Sequence, residues 1–237
     1  MGEPIQSLWI GDRLSAMERL CISSFLQHGH IFHLYTYGDV AGVPPGTTVL
    51  DGNQILPSSR IFTYTEHQTY AGFANFFRYK LLLEKGGWFV DADTICLRPF
   101  HFSDDYVFSS EGINGRQLVN LGAIKVPPGS SVMQYTWEAC ERMNTGELKW
   151  SHCGPTLLGK AVATCSLQQY VQPWDVFCPV HFSTWEQVLD PSIRWDFNEQ
   201  TRAVHLWNEL WRRSSQDKDA PYSAGCLYEQ LKQRYFE

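Results

Sequence analysis

The spacing of apolar positions changes repeatedly along the chain, and the changes mark out alternating strands and helices. Leu8-Trp9-Ile10-Gly11 is a short apolar run closed by glycine, the pattern of a buried strand and a turn. Ser15 is then placed to cap a helix that carries Met17, Leu20, Cys21, Ser24 and Phe25 toward a core. His33 to Tyr37 and Thr48 to Leu50 are further strand candidates, so the first 50 residues have an α/β rhythm. Gly72 to Lys85 has helical spacing, with Phe73, Phe76, Phe77, Leu81 and Glu84 along one stripe, and Gly86-Gly87 ends it. Trp88-Phe89-Val90 resumes as a buried strand. Tyr106 to Ser109 and Gly122 to Val126 predict strands, Ser130 to Met143 and Pro155 to Thr164 helices, Ala203 to Trp207 a late strand, and Tyr222 to Arg234 a closing helix.

One open sheet flanked by helices accommodates this order, with ligands expected at the carboxyl ends of strands where the chain reverses direction. The Pro-Gly breaks at 43–46 and 126–129 and the polar stretch 214–221 are too short to be domain linkers, so one domain over residues 1–237 is expected. Of the 237 residues, 43% are hydrophobic and 19% charged, which argues against disorder. A net charge of -6 argues against nucleic acid as a partner. No apolar run approaches the length of a membrane span, and Met1 to Ser7 has neither the basic nor the apolar part of a signal peptide. Gln6 stands where an N-myristoylation signal wants Ser or Thr. The seven cysteines contain no CxxC pair and read as reduced thiols, which predicts a cytoplasmic protein, at most peripheral to the inner membrane face.

The chemistry concentrates around residues 74–97. Asp91 and Asp93 fall where a buried strand ends, and carboxylates so placed can converge on a hard divalent cation with positions left open for phosphate. On its own an Asp-x-Asp pair more often caps a turn; its surroundings change that reading. Asn75 and Arg78 are three apart and share a helix face separate from the phenylalanine stripe. Arg78 brings a rigid fork of donors suited to phosphate or sugar hydroxyls.

Arg78, Tyr79, Gly86, Gly87, Asp91 and Asp93 follow in order and spacing a pattern that resembles the DXD sugar-binding region of retaining, GT-A type glycosyltransferases. One departure is Asn75, where that family usually has Asp, which changes a pure acceptor into a mixed donor and acceptor. Val204-His205-Leu206-Trp207-Asn208, about 110 residues later, is similar to the His-Leu-Trp-Asn segment of the α-1,4-glycosyltransferase family. In a strand His205 and Trp207 would share a face, and His205 could complete a metal site with Asp91 and Asp93. His152-Cys153-Gly154-Pro155-Thr156 resembles the Gly-Pro turn bordering the cleft, and Asn120-Leu121-Gly122-Ala123 the strand whose amide side chain lies near the donor's anomeric carbon.

The resemblance implies a GT-A type, Rossmann-like mixed open sheet and a metal-dependent retaining hexosyltransferase using Mn²⁺ or Mg²⁺. The donor it implies is a nucleotide sugar, UDP-galactose first, with UDP-glucose or an N-acetylhexosamine analogue as alternatives. The acceptor is a glycan, lipid-linked or protein hydroxyl. Asp93 would be the direct metal ligand and Asp91 a contact to ribose and the metal shell, with Arg78 and Asn120 in the catalytic set. Trp9, Ile10 and Gly11 would meet the nucleotide base, and Asn75 and Gly154 would border the donor. Retention by double displacement needs a carboxylate nucleophile, and Glu111, Asp190, Asp196 and Glu209 are the unassigned acids; front-face attack by the acceptor hydroxyl stays equally open. Trp150, Trp174, Trp185, Trp195 and Trp211 are candidate sugar-stacking surfaces. Two rivals remain. One is a haloacid-dehalogenase-like phosphatase, since Trp88 to Ile95 resembles its first motif although the later Gly-Asp motif is missing; the other is an inactive carbohydrate-binding relative.

Overall fold

The computed structural model describes residues 3–64, 68–113, 115–149 and 152–236. In chain order the elements are β1 (Ile5–Leu8), α1 (Ala16–Gln27), β2 (Phe32–Thr36), β3 (Thr48–Asp51), α2 (Ala71–Lys85), β4 (Gly87–Val90), β5 (Thr94–Cys96), β6 (Val107–Ile113) and β7 (Arg116–Val126). They continue as α3 (Ser131–Glu141), α4 (Pro155–Thr164), α5 (Trp174–Phe177), β8 (Ala203–His205), α6 (Asn208–Arg213) and α7 (Leu227–Phe236). Six strands form a mixed sheet in the order β3-β2-β1-β4-β7-β6, and β5 pairs with β8 apart from it. β1 runs parallel to β2 and β4, β2 parallel to β3, and β7 antiparallel to β4 and β6.

Helices cover both faces of the central strands, which is why these strands read as nearly continuous apolar runs. Successive side chains alternate between two cores. Ile5, Phe32, Leu34, Trp88 and Val90 pack on the side of α1 and α7. Leu8, Tyr35, Phe89 and Ile124 pack on the side of α2, α3 and α4. Ser15 and Glu18 form a reciprocal capping box at the start of α1, as the Ser15 position predicts.

Several boundaries differ from the pattern-based expectation, each for a physical reason. β1 starts at Ile5 rather than Leu8, because the buried polar Gln6 is satisfied by the carbonyls of Gly86 at 2.8 Å and Trp88 at 3.1 Å. Trp9, Ile10 and Gly11 therefore lie past the strand end. β6 and β7 make a longer hairpin than expected, since Ser109, Ser110 and Asn120 interrupt the apolar pattern while being buried and hydrogen-bonded. β8 stops at His205, because Trp207 adopts the left-handed conformation (φ 60°, ψ 50°). α7 begins at Leu227 rather than Tyr222, and β5 has no counterpart among the expected strands.

A cavity of about 690 Å³ at the amino ends of β1, β2 and β4 is lined by His28, His30 and His101, among others. Burial, with His101 and His28 adding to it, lowers His30 from 6.5 to about 4. Its Nε2 accepts the Phe100 amide at 3.0 Å, a bond that the neutral ring makes. The unfolded chain binds this proton at higher pH than the folded one, so the contribution to stability is complete above about pH 6.5 and is lost as pH falls toward 4. The unscreened value is about 3 kcal/mol, reduced to about 1–2 kcal/mol for a half-exposed ring. We expect the urea midpoint to fall less between about pH 6.5 and 4.5 in His30→Gln than in the wild type; equal falls would assign the loss to other groups.

Candidate active site

Two pairings bring the distant acidic and histidine segments together. β4 ends at Val90, and the Asp91 amide donates to the Gly122 carbonyl of β7 at 3.0 Å. The Thr94 amide closes a turn onto Asp91 O, also at 3.0 Å, and β5 begins. β5 then pairs with β8 in the register Thr94↔His205, which sets the imidazole beside the turn. The Leu206 amide donates to Asp93 O at 2.9 Å and holds that register at its end.

His205 Nε2 lies 3.1 Å from Asp93 Oδ1 and 3.9 Å from Asp91 Oδ2. The other Asp93 oxygen accepts the Asn208 backbone amide at 2.6 Å. The left-handed turn at Trp207 brings its ring to 4.2 Å from the His205 ring, and its indole N–H donates to Val180 O at 2.9 Å. Gly122 packs against the back of this group. A Cβ there would sit 2.9 Å from Asn120 Oδ1 and 3.2 Å from His205 Nδ1, so a side chain at this position would have to displace the amide or the ring.

Arg78 is buried, with Nη1 donating to Asn75 Oδ1 at 2.7 Å and Nη2 bound to the Asp91 carboxylate. Its guanidinium lies 4.7 Å from the Phe89 ring centroid. Asn75 Nδ2 points to Cys153 Sγ at 3.8 Å, so both ends of the amide that replaces the family's usual Asp have protein partners. Burial raises the Asp91 pKa, with Asp93 adding to it and Arg78 and His205 opposing. Burial works to raise Asp93 as well, but His205 and the Asn208 amide outweigh it and the net shift is downward. His205 is held well above its ordinary value, because Asp93 overcomes the effect of burial. Arg78→Lys leaves an ammonium that cannot serve Asn75 and Asp91 through one rigid fork, and a loss of about 2–4 kcal/mol is expected. At this chain length that lowers the melting temperature by about 5–10 °C; an unchanged melting temperature would mean that the fork contributes nothing to the fold.

Among the described residues, Asp91, Asp93 and His205 form a cluster whose ligand atoms all lie within 4.8 Å of one another, close enough to share a metal ion. Carboxylate oxygens with one imidazole suit Mn²⁺ or Mg²⁺. Beside them, Asn208 Oδ1 is buried with no hydrogen-bond partner, an orphaned acceptor that a cation or its bound ligand would satisfy. The donor set therefore fits the group that the sequence implies.

The cluster opens into a cavity of about 990 Å³. Asp91, Asp93, His205, Arg78 and Asn75 line it, as do Trp9, Ile10, Asn120 and Gly154. Gly11 is exposed and outside the lining. Trp174, Trp185, Trp195 and Trp211 also lie outside it, and Trp150 lies outside the described residues. Of the unassigned acids, Asp190 caps an exposed turn through Ser192 and Asp196 is exposed, whereas Glu111 and Glu209 line the cavity. Glu209 is paired with Arg212 and Arg213. Asn208, Trp207 and Glu111 have positions here that sequence reasoning did not assign; the signal for Asn208 was its place in the His-Leu-Trp-Asn segment.

Residues 24–112 match the family described as the glycosyltransferase sugar-binding region containing the DXD motif. No curated protein matches the chain. Among solved structures, the PaToxG glycosyltransferase is 15% identical with a TM-score of 0.52, over 69% of this chain and 69% of its own. The galactosyltransferase LgtC, in complex with donor and acceptor sugar analogues, is 10% identical with a TM-score of 0.42, over 71% of this chain and 72% of its own. The apo-form glycosyltransferase GlyE of Streptococcus pneumoniae is 9% identical with a TM-score of 0.37, over 74% of this chain and 46% of its own. The first of these shares the fold. Residues 24–112, which include Asp91 and Asp93, are thus similar to the glycosyltransferase sugar-binding region containing the DXD motif, within a mixed α/β fold shared with the PaToxG glycosyltransferase.

Proposed function

We propose that the protein transfers a hexose from a nucleotide-sugar donor to a hydroxyl acceptor, with retention of configuration, and that Asp91, Asp93 and His205 hold Mn²⁺ or Mg²⁺ for the donor diphosphate. UDP-galactose is the leading donor, ahead of UDP-glucose and N-acetylhexosamine analogues. The convergence of the acidic pair and the imidazole on the wall of one cavity supports this reading. When bound, a divalent cation supplies the positive charge that a departing diphosphate requires. The chain's own residues do the rest. Arg78 fixes the rotamer of Asp91, and the Asn208 amide and His205 fix both oxygens of Asp93. Trp9 and Ile10, past the end of β1, offer an apolar face to a nucleotide base. Asn75, Asn120 and Gly154 border the space left for the sugar.

A phosphatase needs its first aspartate free to attack phosphorus, whereas Asp91 is bound to Arg78. The acceptor is a glycan, lipid-linked or protein hydroxyl, and the proposed location is the cytoplasm, at most peripheral to a membrane; the seven cysteines are free, and among the described residues no helix is long and apolar enough to cross a bilayer. A panel of UDP-sugars and GDP-mannose with Mn²⁺, read by melting temperature and nucleoside diphosphate release, tests the reading. One donor should raise the melting temperature and turn over only with the metal present. Phosphate release from generic phosphomonoesters, with no response to any nucleotide sugar, would overturn it.

A further inference from the structure

The Asp91 carboxylate is held from behind by a chain of buried side chains, and the second member of that chain is uncharged. Arg78 is 2% exposed and its fork divides: Nη2 goes to Asp91 Oδ1, while Nη1 donates to Asn75 Oδ1 at 2.7 Å. Asp91 Oδ2 is left toward the cluster, 3.9 Å from His205 Nε2. Asn75 and Arg78 are three apart on α2, so the helix itself sets their separation. The Phe89 ring covers the guanidinium at 4.7 Å, and Arg78 Nε is buried with no hydrogen-bond partner. Among the described residues, Asp91 is the only carboxylate within ion-pair distance of Arg78.

Behind Asn75 the chain runs deeper into the protein. Its Nδ2 points to Cys153 Sγ at 3.8 Å, and that sulfur meets Tyr64 Oη at 2.9 Å. Tyr79 Oη donates to Cys153 O at 3.0 Å, which fixes this backbone next to Gly154 on the cavity wall. Burial pushes the Cys153 thiol up, so it keeps its proton near neutral pH. A thiol both donates and accepts, and it can serve a carboxylate at position 75 as well as an amide. An Asp of the same shape therefore fits there, but it brings a second negative charge to the guanidinium.

We propose that Asn75 is a positioning residue for the metal cluster: through Arg78 it aims the Asp91 carboxylate, and as a neutral amide it leaves the guanidinium charge to Asp91 alone, which moderates how tightly the cluster holds its cation. The inference rests on the metal-dependent transferase reading above and concerns the grip of that same site. With an amide at 75, the charge of Arg78 offsets one of the two negative charges that the aspartates present to a cation. Asp in its place adds a negative charge to a buried wall, where charges act more strongly than in water. Removing the amide altogether leaves Nη1 without its partner and the Asp91 rotamer less fixed. The two changes push metal affinity in opposite directions, which a residue that only fills space does not do.

Mn²⁺ titrations with and without UDP, with the free ion counted by electron paramagnetic resonance, read this without turnover. They are run at about pH 8, where a carboxylate beside a guanidinium is ionised. Asn75→Asp should bind Mn²⁺ about 10-fold tighter than the wild type, and Asn75→Ala about 3-fold or more weaker. Both should keep the wild-type ranking of UDP-sugars, because the amide acts through Arg78. Should Asn75→Asp fail to fold, the alanine variant decides alone. Mn²⁺ affinity unchanged in Asn75→Ala, or unchanged or weaker in a folded Asn75→Asp, would overturn this assignment and leave the transferase reading intact. An altered donor ranking with unchanged Mn²⁺ affinity would overturn it too, and place Asn75 on the donor sugar. A wild-type protein that binds no Mn²⁺, alone or with UDP, would overturn the metal reading, and this inference with it.

Discussion

Asp93→Ala is expected to lower metal-dependent turnover of the nucleotide sugar by about 1000-fold or more, or about 4 kcal/mol of transition-state stabilisation. Both oxygens of this carboxylate have assigned partners, His205 Nε2 at 3.1 Å and the Asn208 amide at 2.6 Å. Its removal therefore takes away a proposed metal ligand and frees the imidazole from the acid that orients it. The Mn²⁺ concentration needed for half-maximal rate should rise steeply, and the melting temperature should no longer respond to Mn²⁺ with UDP. Asp93→Asn separates charge from shape, since it can accept the Asn208 amide but carries no negative charge; it should lose nearly as much activity while melting closer to the wild type. Wild-type turnover in Asp93→Ala, with an unchanged Mn²⁺ requirement, would remove the aspartate from the metal assignment.

Gly86→Ala should be the most damaging single methyl group in the fold. Gly86 ends α2 with φ 62° and ψ -158°, a region of backbone space that is essentially closed to residues with a Cβ. The added carbon would lie 2.4 Å from Pro128 N and 2.9 Å from Pro127 C, and backbone atoms cannot swing aside as a flexible side chain can. Strain and overlap together should cost about 3–5 kcal/mol. The expected result is a melting temperature lower by about 10 °C or more, or a failure to accumulate as folded protein. The cost is also positional, because the Gly86 carbonyl receives Gln6 and the following strand ends at Val90, next to Asp91. A variant that melts with the wild type would mean that the α2 to β4 turn can open without penalty.

The elements that came through in the sequence are those whose local chemistry agrees with their surroundings. Ser15 and Glu18 announce α1, Gly86-Gly87 closes α2, and Pro155 opens α4 at its expected residue. The strands blurred where polar residues are buried for a purpose. Gln6 and Ser7 hide the first half of β1, and Ser109, Ser110 and Asn120 hide most of the β6-β7 hairpin, because hydropathy registers a buried hydrogen bond as a surface. The site shows the same division. The convergence of Asp91, Asp93, Arg78 and His205 can be read from spacing and resemblance, since these residues belong to short motifs. Glu111 was visible only as one acid among several, because its place in the cavity is set by the β6-β7 hairpin rather than by a short motif. The left-handed turn at Trp207 overrode a simple strand continuation and delivered Asn208 to Asp93.

The Thr94↔His205 register also has a temporal side. As the chain leaves the ribosome, the sugar-binding segment and its acids emerge long before the imidazole that completes their cluster, and a nascent chain stopped short of β8 has the acids without that partner. The cluster is therefore withheld until β8 has been made and has docked on β5.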